Sequence, residues 1–341
     1  MMERVVLALT NRCNLRCRHC YVEGGEALPV ELTLAELADV VAQVAGLAAR
    51  RLILSGGEPL LVPERLEWTL ARAKAAGLRT TVTTNATTLT EERARWLKAL
   101  GLDTLQVSLD ADRPAEHELI RNAGTHARAV AGLQAAVAAG LSCTVMMVAF
   151  RHNWPRVGPL AQAAAAWGAR LLAVDRFVPV GRGRTSTHLD LDRQDLEGLH
   201  RELTAANQQA SIPVVTNDPI WNAVRLAEAA PSDFGWARSA AIGCSAGTGS
   251  CVIGADGEVF PCTFLPLSLG NTRTRSLRGI LEGSPLVTAL KDRDRLEGRC
   301  GRCRLRLICG GCRAEALVRP GGSLLAEDPL CPVAVSPGQA G

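Results

Sequence analysis

Twelve cysteines, eleven of them in two widely separated groups, constrain this 341-residue chain more than any other feature of its sequence. Cys13, Cys17 and Cys20 lie in one short stretch near the amino terminus, and eight more lie in the carboxyl-terminal third. An even count is compatible with disulfides, but disulfides are typical of small exported domains. Glu3 and Arg4 interrupt the start of the chain, where an export signal needs an apolar run. The grouping therefore predicts metal binding by thiolates in a reducing, cytoplasmic compartment.

The composition is that of a globular protein and argues against nucleic-acid and membrane partners. The formal net charge is only +4, and basic residues are not interleaved with aromatic ones. The most apolar stretch, residues 135–150, is short for a bilayer span and is divided by Gly140. We expect a soluble, cytoplasmic chain that binds neither nucleic acid nor membrane.

Short β-rich runs alternate with amphipathic helical stretches through the first half of the chain. The predicted strands are Arg4–Thr10, Arg51–Ser55, Leu78–Thr84, Thr104–Leu109, Leu141–Phe150 and Arg170–Arg176. Strands separated by helices are typical of parallel βα units. Because six units are too few for a closed eight-stranded barrel, the predicted fold class is α/β, a partial (β/α)6 TIM-like barrel. A loop-rich domain holding most of the cysteines is expected to follow it.

The spacing Cys13-x3-Cys17-x2-Cys20, directly after the first predicted strand, indicates an iron–sulfur cluster. Three thiolates in one loop can hold three irons of a cubane and leave the fourth iron free to bind a small molecule. Structural zinc requires four closed ligands, and no fourth cysteine or aspartate lies nearby in the sequence. A cluster with one open iron is therefore favoured over zinc at this loop.

This loop resembles the signature of radical S-adenosylmethionine enzymes, and other segments resemble that family in the same order. They include a GGEP segment for the methionine amino group, polar residues for the ribose and carboxylate, and a ring near the adenine. The resemblance implies that S-adenosylmethionine is bound by His19, Gly56, Gly57, Glu58, Thr84, Asn85, Ser108, Asp110 and Arg121. Most of these residues follow the ends of successive predicted strands, which is the rim where βα barrels build their sites.

The second cysteine group resembles the SPASM extension of the same family, which normally binds two auxiliary 4Fe–4S clusters. The family's ligand order implies that the nearer cluster is held by Cys244, Cys251, Cys262 and Cys312. It implies that the outer cluster is held by Cys300, Cys303, Cys309 and Cys331. The cofactors expected are thus three 4Fe–4S clusters and S-adenosyl-L-methionine. Cys143, the remaining cysteine, lies within a predicted strand and is interpreted as an apolar packing residue.

The predicted domain organisation follows the change of pattern along the chain. The ranges are a radical S-adenosylmethionine barrel at 1–210, a bridging region at 211–243, a SPASM domain at 244–332 and a disordered tail at 333–341. A non-catalytic zinc-binding interaction protein remains as the alternative from another class.

The resemblance implies that S-adenosylmethionine is cleaved reductively to a 5′-deoxyadenosyl radical, which then removes a hydrogen atom from a substrate. The C-terminal cysteine pattern is most similar to the subgroup of haem-type tetrapyrrole and mycofactocin maturases. That similarity favours oxidative decarboxylation of a carboxylate-bearing small molecule or peptide. Radical dehydrogenation, epimerisation or decarboxylation of a sugar or nucleoside remains the alternative. A flavodoxin- or ferredoxin-like electron donor is implied as a partner.

Candidate substrate contacts follow the last predicted strands or lie in the bridging region. A carboxylate is expected to be bound there by charge-assisted hydrogen bonds. The candidates are Arg151, His152, Asn153, Arg176, Arg182, Asn217, Asp218 and Trp221. For each of them, a loop residue or a helix cap is the competing interpretation.

Overall fold

One sheet of ten strands organises the fold in the computed structural model, which describes residues 2–227 and 243–333. The strands are β1 Arg4–Ala8, β2 Arg51–Ser55, β3 Arg79–Thr84, β4 Thr104–Ser108, β5 Cys143–Ala149, β6 Leu171–Arg176, β7 Val214–Val215, β8 Ser250–Ile253, β9 Glu258–Phe260 and β10 Gly270–Asn271. Their order across the sheet is β10-β9-β8-β1-β2-β3-β4-β5-β6-β7. The run from β8 through β1 to β7 is parallel, while β8, β9 and β10 pair antiparallel. The six predicted strands are confirmed as β1 to β6, and the α/β class with them.

Helices connect the parallel strands and cover one face of the sheet. Those of the barrel part are α1 Leu34–Gly46, α2 Pro63–Ala75, α3 Glu91–Ala99, α4 Pro114–Arg121, α5 Thr125–Ala138, α6 Val157–Ala166, α7 Arg193–Gln209 and α8 Pro219–Ala227. Capping residues and a proline determine where several of these helices begin. Thr33 and Glu36 form a capping box at α1, Asp192 and Asp195 form another at α7, and Pro63 occupies the first turn of α2.

The two faces of the parallel strands differ in burial because successive side chains point to opposite sides. On the face toward the helices, Val5 pairs with Leu52 and Leu105 pairs with Cys143, and all four side chains are fully buried in the main core. On the other face, residues such as Gln106 are only partly buried. That second face lines the interior of the partial barrel.

Helix α4, which interrupts the connection between β4 and α5, is missing from the sequence-based prediction. It has only eight residues, and Asn122, with φ of 94°, ends it. Its buried side includes His117 and Arg121, so it brings polar groups to the carboxyl edge of β4. A helix of two turns is shorter than the window of about 11–18 residues in which helical periodicity is recognised.

The carboxyl-terminal part is more regular than the predicted loop-rich domain. It contains strands β8 to β10 and the helices α9 Leu277–Glu282, α10 Pro285–Lys291, α11 Gly298–Arg302 and α12 Arg313–Val318. Strand β8 adds to the free edge of β1, with Val5 beside Cys251 and Leu7 beside Ile253. These strands have two to four residues each, too few for an alternating pattern, and they depend on pairing with the barrel sheet.

Parts of the remaining predictions lie outside the described residues. The bridging region contains β7 and α8, but residues 228–242 are not described. The same holds for the predicted disordered tail apart from Val333. Among the residues that the structure does describe, no helix combines the length and apolarity needed to cross a membrane.

Candidate functional site

The first cysteine loop starts after β1 and folds back on itself. The amide of Cys13 donates to the carbonyl of Gly25 at 2.8 Å. Two thiols accept backbone amides: Cys13 Sγ from Leu15 at 3.4 Å and Cys20 Sγ from Gly24 at 3.3 Å. Burial raises the pKa of the Cys13 thiol to about 11. Two of the three thiols in this loop thus have backbone N–H donors, an arrangement that suits thiolate ligands of an iron–sulfur cluster.

Gly56 and Gly57, which follow β2, lie in close contact with the backbone of this loop. The amide of Gly57 donates to Thr10 at 2.7 Å, and the next amide donates to Arg12 at 2.8 Å. A Cβ on either glycine would overlap one of those two carbonyl oxygens, and Gly56 has φ of 125°. The two glycines are therefore required by a close backbone approach as well as by any ligand.

Glu58, Thr84 and Asn85 join the ends of β2 and β3. One oxygen of the buried Glu58 carboxylate accepts the Thr84 hydroxyl at 2.7 Å and the Leu60 amide at 3.1 Å. The other oxygen accepts the Asn85 amide at 2.8 Å. The Asn85 side chain donates to Asn14 in the cysteine loop at 2.9 Å. These hydrogen bonds fix the orientation of the Glu58 carboxylate, whose second oxygen accepts only the Asn85 amide, and the cofactor contact of Glu58 stays a prediction.

Asp110, Arg121 and His19 form a buried polar chain at the end of β4. Arg121 Nε donates to Asp110 at 2.6 Å, and another nitrogen of its guanidinium lies 3.4 Å from His19 Nε2. Burial opposes ionisation of Asp110, but Arg121 outweighs it and lowers the pKa of the carboxyl to about 2. Burial lowers the pKa of His19 to about 3, so the ring is neutral. Nearby Ser108 is also buried.

His117 is a residue of this chain that the sequence prediction missed. Its Nδ1 accepts the backbone amide of Asp110 at 3.2 Å. Burial lowers the pKa of its ring to about 4, which keeps this nitrogen free to accept. No short motif marks such a residue, because its partner is reached only when α4 folds back over β4.

Aromatic rings cluster next to His19 and form an apolar wall. His19 meets Phe150 edge to face at 5.5 Å between centroids, and Phe150 lies 4.9 Å from Phe177. His152 stacks on the same Phe150 ring at 5.6 Å. Such a wall suits the flat face of a nucleobase, and His152 is the predicted substrate contact that lies closest to this position.

Three other predicted substrate contacts have structural partners. Arg151 is half exposed and pairs with Asp192 and Asp195 on α7. Asn153 is fully buried, and its side chain bonds three backbone groups of the β4 and β5 ends. Arg182 donates to the Cys17 carbonyl and the Gly24 carbonyl at 2.9 Å each. These contacts correct the prediction. The side chains of Asn153 and Arg182 hydrogen-bond to backbone groups of the site, and Arg151 forms ion pairs at the start of α7.

Arg176 and Asp218 also contact protein groups instead of an open cavity. Arg176 lies 2.5 Å from Asp328 and 3.6 Å from Asp218, and all three side chains are buried. His200 lies 3.5 Å from Asp218, and Trp221 packs edge to face on that histidine. The predicted carboxylate-binding role of Arg176 is thereby replaced by an internal ion pair that links the barrel to the carboxyl-terminal part.

Asn217 lies in a more open polar group across the barrel mouth. It accepts Arg4 at 2.7 Å and donates to Asp175 at 3.2 Å. Both charged groups act on the thiol of Cys262: burial raises its pKa to about 11, Arg4 lowers it and Asp175 raises it. This polar group therefore lies beside the second cysteine group.

Four cysteines of the carboxyl-terminal part surround one cavity, which also has Ala223 of α8 in its wall. They are Cys300, Cys303, Cys309 and Cys331. Three backbone amides donate to sulfur: Leu305 to Cys303 at 3.4 Å, Gly311 to Cys309 at 3.3 Å and Asp328 to Cys300 at 3.5 Å. Four thiols with amide donors around a shared space fit a fully ligated iron–sulfur cluster.

The nearer cysteine group contains three thiols and not the predicted four. Cys244, Cys262 and Cys312 pack in one small cluster of side chains, and the Cys262 thiol accepts the Phe264 amide at 3.5 Å. Cys251 lies elsewhere, fully buried in the main core between sheet and helices. The fourth ligand predicted for the nearer cluster therefore does not fit this structure.

Family comparisons agree with the fold. The model of the radical SAM superfamily matches residues 7–162, and that of an iron–sulfur cluster-binding domain, SPASM, matches residues 244–304. The chain belongs to the radical S-adenosylmethionine superfamily and carries a C-terminal SPASM domain. It is an enzyme that binds 4Fe–4S clusters and S-adenosylmethionine, which removes the zinc-binding alternative.

Individual relatives extend over almost the whole chain. An AdoMet-dependent heme synthase of Methanosarcina barkeri is 32% identical over 334 residues, covering 95% of this chain and 94% of the relative. The mycofactocin maturase MftC of Mycobacterium ulcerans is 30% identical and covers 95% and 86%. The crystal structure of Streptococcus suis SuiB bound to S-adenosylmethionine has a TM-score of 0.79 at 18% identity and covers 98% and 78%. The predicted family and fold are confirmed.

Proposed function

We propose that this enzyme binds three 4Fe–4S clusters and oxidatively decarboxylates a carboxylate-bearing small molecule or peptide. The observation that carries the proposal is the cysteine loop lying on the same rim as the buried chain of His19, Asp110 and Arg121. Similarity to proteins named heme synthase and mycofactocin maturase supports a substrate of one of these two kinds. Within residues 2–227 and 243–333, no contact specifically favours the sugar or nucleoside alternative.

The residues of this chain would position the reactants and keep water out. When bound, the first cluster and S-adenosylmethionine supply a 5′-deoxyadenosyl radical. Gly56, Gly57 and Arg182 fix the backbone of the cysteine loop through the contacts described above. His19 and Phe150 offer an apolar surface that excludes water from a reactive intermediate. Hydrogen-atom transfer requires this close positioning of donor and acceptor.

The oxidative step requires an acceptor for one electron. Loss of a hydrogen atom leaves a carbon radical, and release of carbon dioxide from the neighbouring carbon forms a double bond as one electron departs. Tyr21 lies next to both cysteine groups: burial raises its pKa to about 12, the Ser55 hydroxyl lowers it, and the Cys20 and Cys262 thiols raise it further. The cysteines of the nearer auxiliary site would hold a cluster that supplies an acceptor for this electron.

Reduction of the first cluster would come from a flavodoxin- or ferredoxin-like protein. Arg295 and Arg302 are exposed beside the outer cysteines and give this surface a positive charge. Such a surface steers an acidic partner. Raising the salt concentration should therefore slow reduction by flavodoxin, measured by stopped flow, and a rate that is independent of salt would contradict this partner.

The reaction can be tested with two substrates that carry a free carboxylate: a porphyrin with propionate side chains and a peptide with a free C-terminus. Each is incubated anaerobically with the enzyme, S-adenosylmethionine and dithionite, and 5′-deoxyadenosine and carbon dioxide are measured. We expect both products with one substrate and neither when its carboxylate is amidated. Formation of 5′-deoxyadenosine and a modified substrate without carbon dioxide would end the decarboxylation proposal.

The matched control is Cys17→Ala. This variant leaves two thiolates at the first loop, too few to retain the cluster, so we expect no 5′-deoxyadenosine. The carboxyl-terminal cysteines are untouched, and their iron should remain. Full iron content with normal turnover would contradict the role of the first loop.

A further inference from the structure

The loop after β6 lies directly against the first cysteine loop. It contains a 3₁₀ turn at Gly181–Thr185. Gly181 has φ of 54°, and a Cβ there would lie 2.5 Å from the Cys20 carbonyl oxygen and 2.6 Å from that of Tyr21. Because only a residue without a side chain allows this approach, the turn is packed on the backbone of the cysteine loop. Arg182, the next residue, is thereby placed at the same contact.

Arg182 makes three hydrogen bonds to that backbone. Its Nε donates to the Cys17 carbonyl and its Nη1 to the Gly24 carbonyl, at 2.9 Å each. Its own amide donates to the Cys20 carbonyl at 3.1 Å. The amide of Gly24 in turn donates to the Cys20 thiol at 3.3 Å. Arg182 therefore contacts the backbone of two predicted ligands and of the residue that hydrogen-bonds to one of their thiols.

The positive charge of Arg182 is not offset by a carboxylate. Its two donor nitrogens meet neutral carbonyl groups, and within residues 2–227 and 243–333 its guanidinium forms no ion pair. Arg121 also reaches this loop, through His19, but Asp110 lies 2.6 Å from its Nε and offsets its charge. Since Arg182 is partly buried, solvent ions screen its charge less than that of an exposed arginine.

We infer that Arg182 is a positioning residue that raises the reduction potential of the first cluster. Reduction adds a negative charge to a cluster bound by thiolates, so an uncompensated cation at the ligand loop favours the reduced form. The contact of the Gly24 amide with the Cys20 thiol acts in the same direction, because hydrogen bonds to sulfur help to set cluster potentials. The inference goes beyond the proposed function, since it concerns how the first cluster is reduced, whichever substrate follows.

The potential is measured on the anaerobically reconstituted full chain by a redox titration followed by electron paramagnetic resonance. The signal of the first cluster is the one that changes when S-adenosylmethionine is added and that is absent from Cys17→Ala. We expect Arg182→Gln to shift the potential of this signal to a more negative value and to leave the auxiliary signals and the iron content unchanged. Arg182→Gln with full iron content and the potential of the parent would overturn the inference.

Arg184→Gln is the matched control, because it removes one positive charge from the same turn. Arg184 is exposed and pairs with exposed Glu23 at 3.2 Å, so its charge is offset and screened. Its replacement should leave the potential unchanged, and a shift equal to that of Arg182→Gln would overturn the inference. Arg182→Lys keeps the cation but lacks the planar fork that reaches two carbonyls. We expect its potential to lie near that of the parent, and a value as negative as that of Arg182→Gln would overturn the role of the charge.

Loss of the first cluster from Arg182→Gln would make Arg182→Lys the deciding variant. A cluster that Arg182→Lys retains near the potential of the parent then supports the inference. A clearly more negative potential, or the loss of about four irons, overturns it, because the backbone contacts alone would account for the residue. Failure of the proposed function gives a different result: a modified substrate without carbon dioxide ends the decarboxylation proposal and leaves the potential of the first cluster unaffected.

Discussion

Buried charged side chains at the rim are paired with other protein groups. The Asp110 carboxylate has no exposed surface, and its partner Arg121 is 8% exposed. A buried ion pair is retained only when both charges are satisfied, because removing one partner leaves a charge in a poorly hydrated place. Here the pair also reaches His19 and the backbone of β5 through the Val148 amide at 3.0 Å. Its role is to orient the neighbouring groups.

His117 should make stability depend on pH. Burial lowers the pKa of this ring to about 4, below the value of about 6.5 expected in the unfolded chain. As pH falls, the unfolded state binds a proton first, so the stabilisation is complete above about pH 6.5 and is lost toward pH 4. Lowering the pH from about 7.5 to about 5.5 should cost about 1 kcal/mol from this residue alone. The measurement is anaerobic urea unfolding at both values.

The comparison variant is His117→Gln, which keeps a side-chain acceptor for the Asp110 amide but cannot titrate. Its loss of stability between the two pH values should be about 1 kcal/mol smaller than that of the parent. Exposed His188→Gln is the control for replacing a histidine at a position away from the Asp110 amide. If the parent and His117→Gln lose the same stability between the two pH values, the imidazole binds its proton with equal affinity in the folded and unfolded states.

Residue roles were predictable only where spacing carries the information. The three cysteines of the first loop follow a sequential pattern, and the structure places all three in the loop after β1. Cys251 and Cys143 have the same environment, yet only Cys143 was predicted to be a packing residue, because Cys251 has ligand cysteines as sequence neighbours. Arg176 was placed on the correct edge, but a sequence does not reveal whether an arginine there meets a ligand or Asp328.

At the scale of elements, the turn after β2 should be intolerant of substitution. A Cβ at Gly57 would overlap the Arg12 carbonyl, so Gly57→Ala must displace the cysteine loop. We expect this variant to lose the first cluster and to fall from about twelve irons to about eight. Gly46→Ala is the control, since nothing lies within 4 Å of the added atom. If Gly57→Ala keeps the full iron content and the spectra of its auxiliary clusters match those of the parent, this role of the glycine is contradicted.

Elements were predictable where their pattern is long enough. Strands β1 to β6 have five to seven residues and are separated by amphipathic helices, so their periodicity is visible in sequence. Strand β8 has four residues, all buried, and it exists because β1 has a free edge beside it. Helix α4 has only eight residues, too few for its periodicity to be recognised. Short or polar elements thus require knowledge of their tertiary partners.

At the scale of the molecule, the barrel and the carboxyl-terminal part are one structural unit. Strand β8 continues the barrel sheet past β1, and Arg176 of β6 pairs with Asp328 beside Cys312. Helix α8 lies against the outer cysteines through Ala223. The backbone amide of Asp328 donates to Cys300 and its carboxylate accepts the Cys312 amide, so this residue contacts cysteines of both carboxyl-terminal groups. Such connections hold the two cysteine groups at a set distance from the barrel mouth.

Arg176→Gln tests this connection, because it leaves Asp218 and Asp328 buried without their cation. Breaking such a pair typically costs roughly 3–5 kcal/mol, whereas Arg151→Gln, which removes half-exposed pairs, should cost about 1 kcal/mol or less. Anaerobic denaturant unfolding of the reconstituted chain measures both. The double variant Arg176→Gln with Asp328→Asn should recover part of the loss, since one uncompensated charge is gone. Equal, small effects of Arg176→Gln and Arg151→Gln would mean that the ion pair does not connect the two parts.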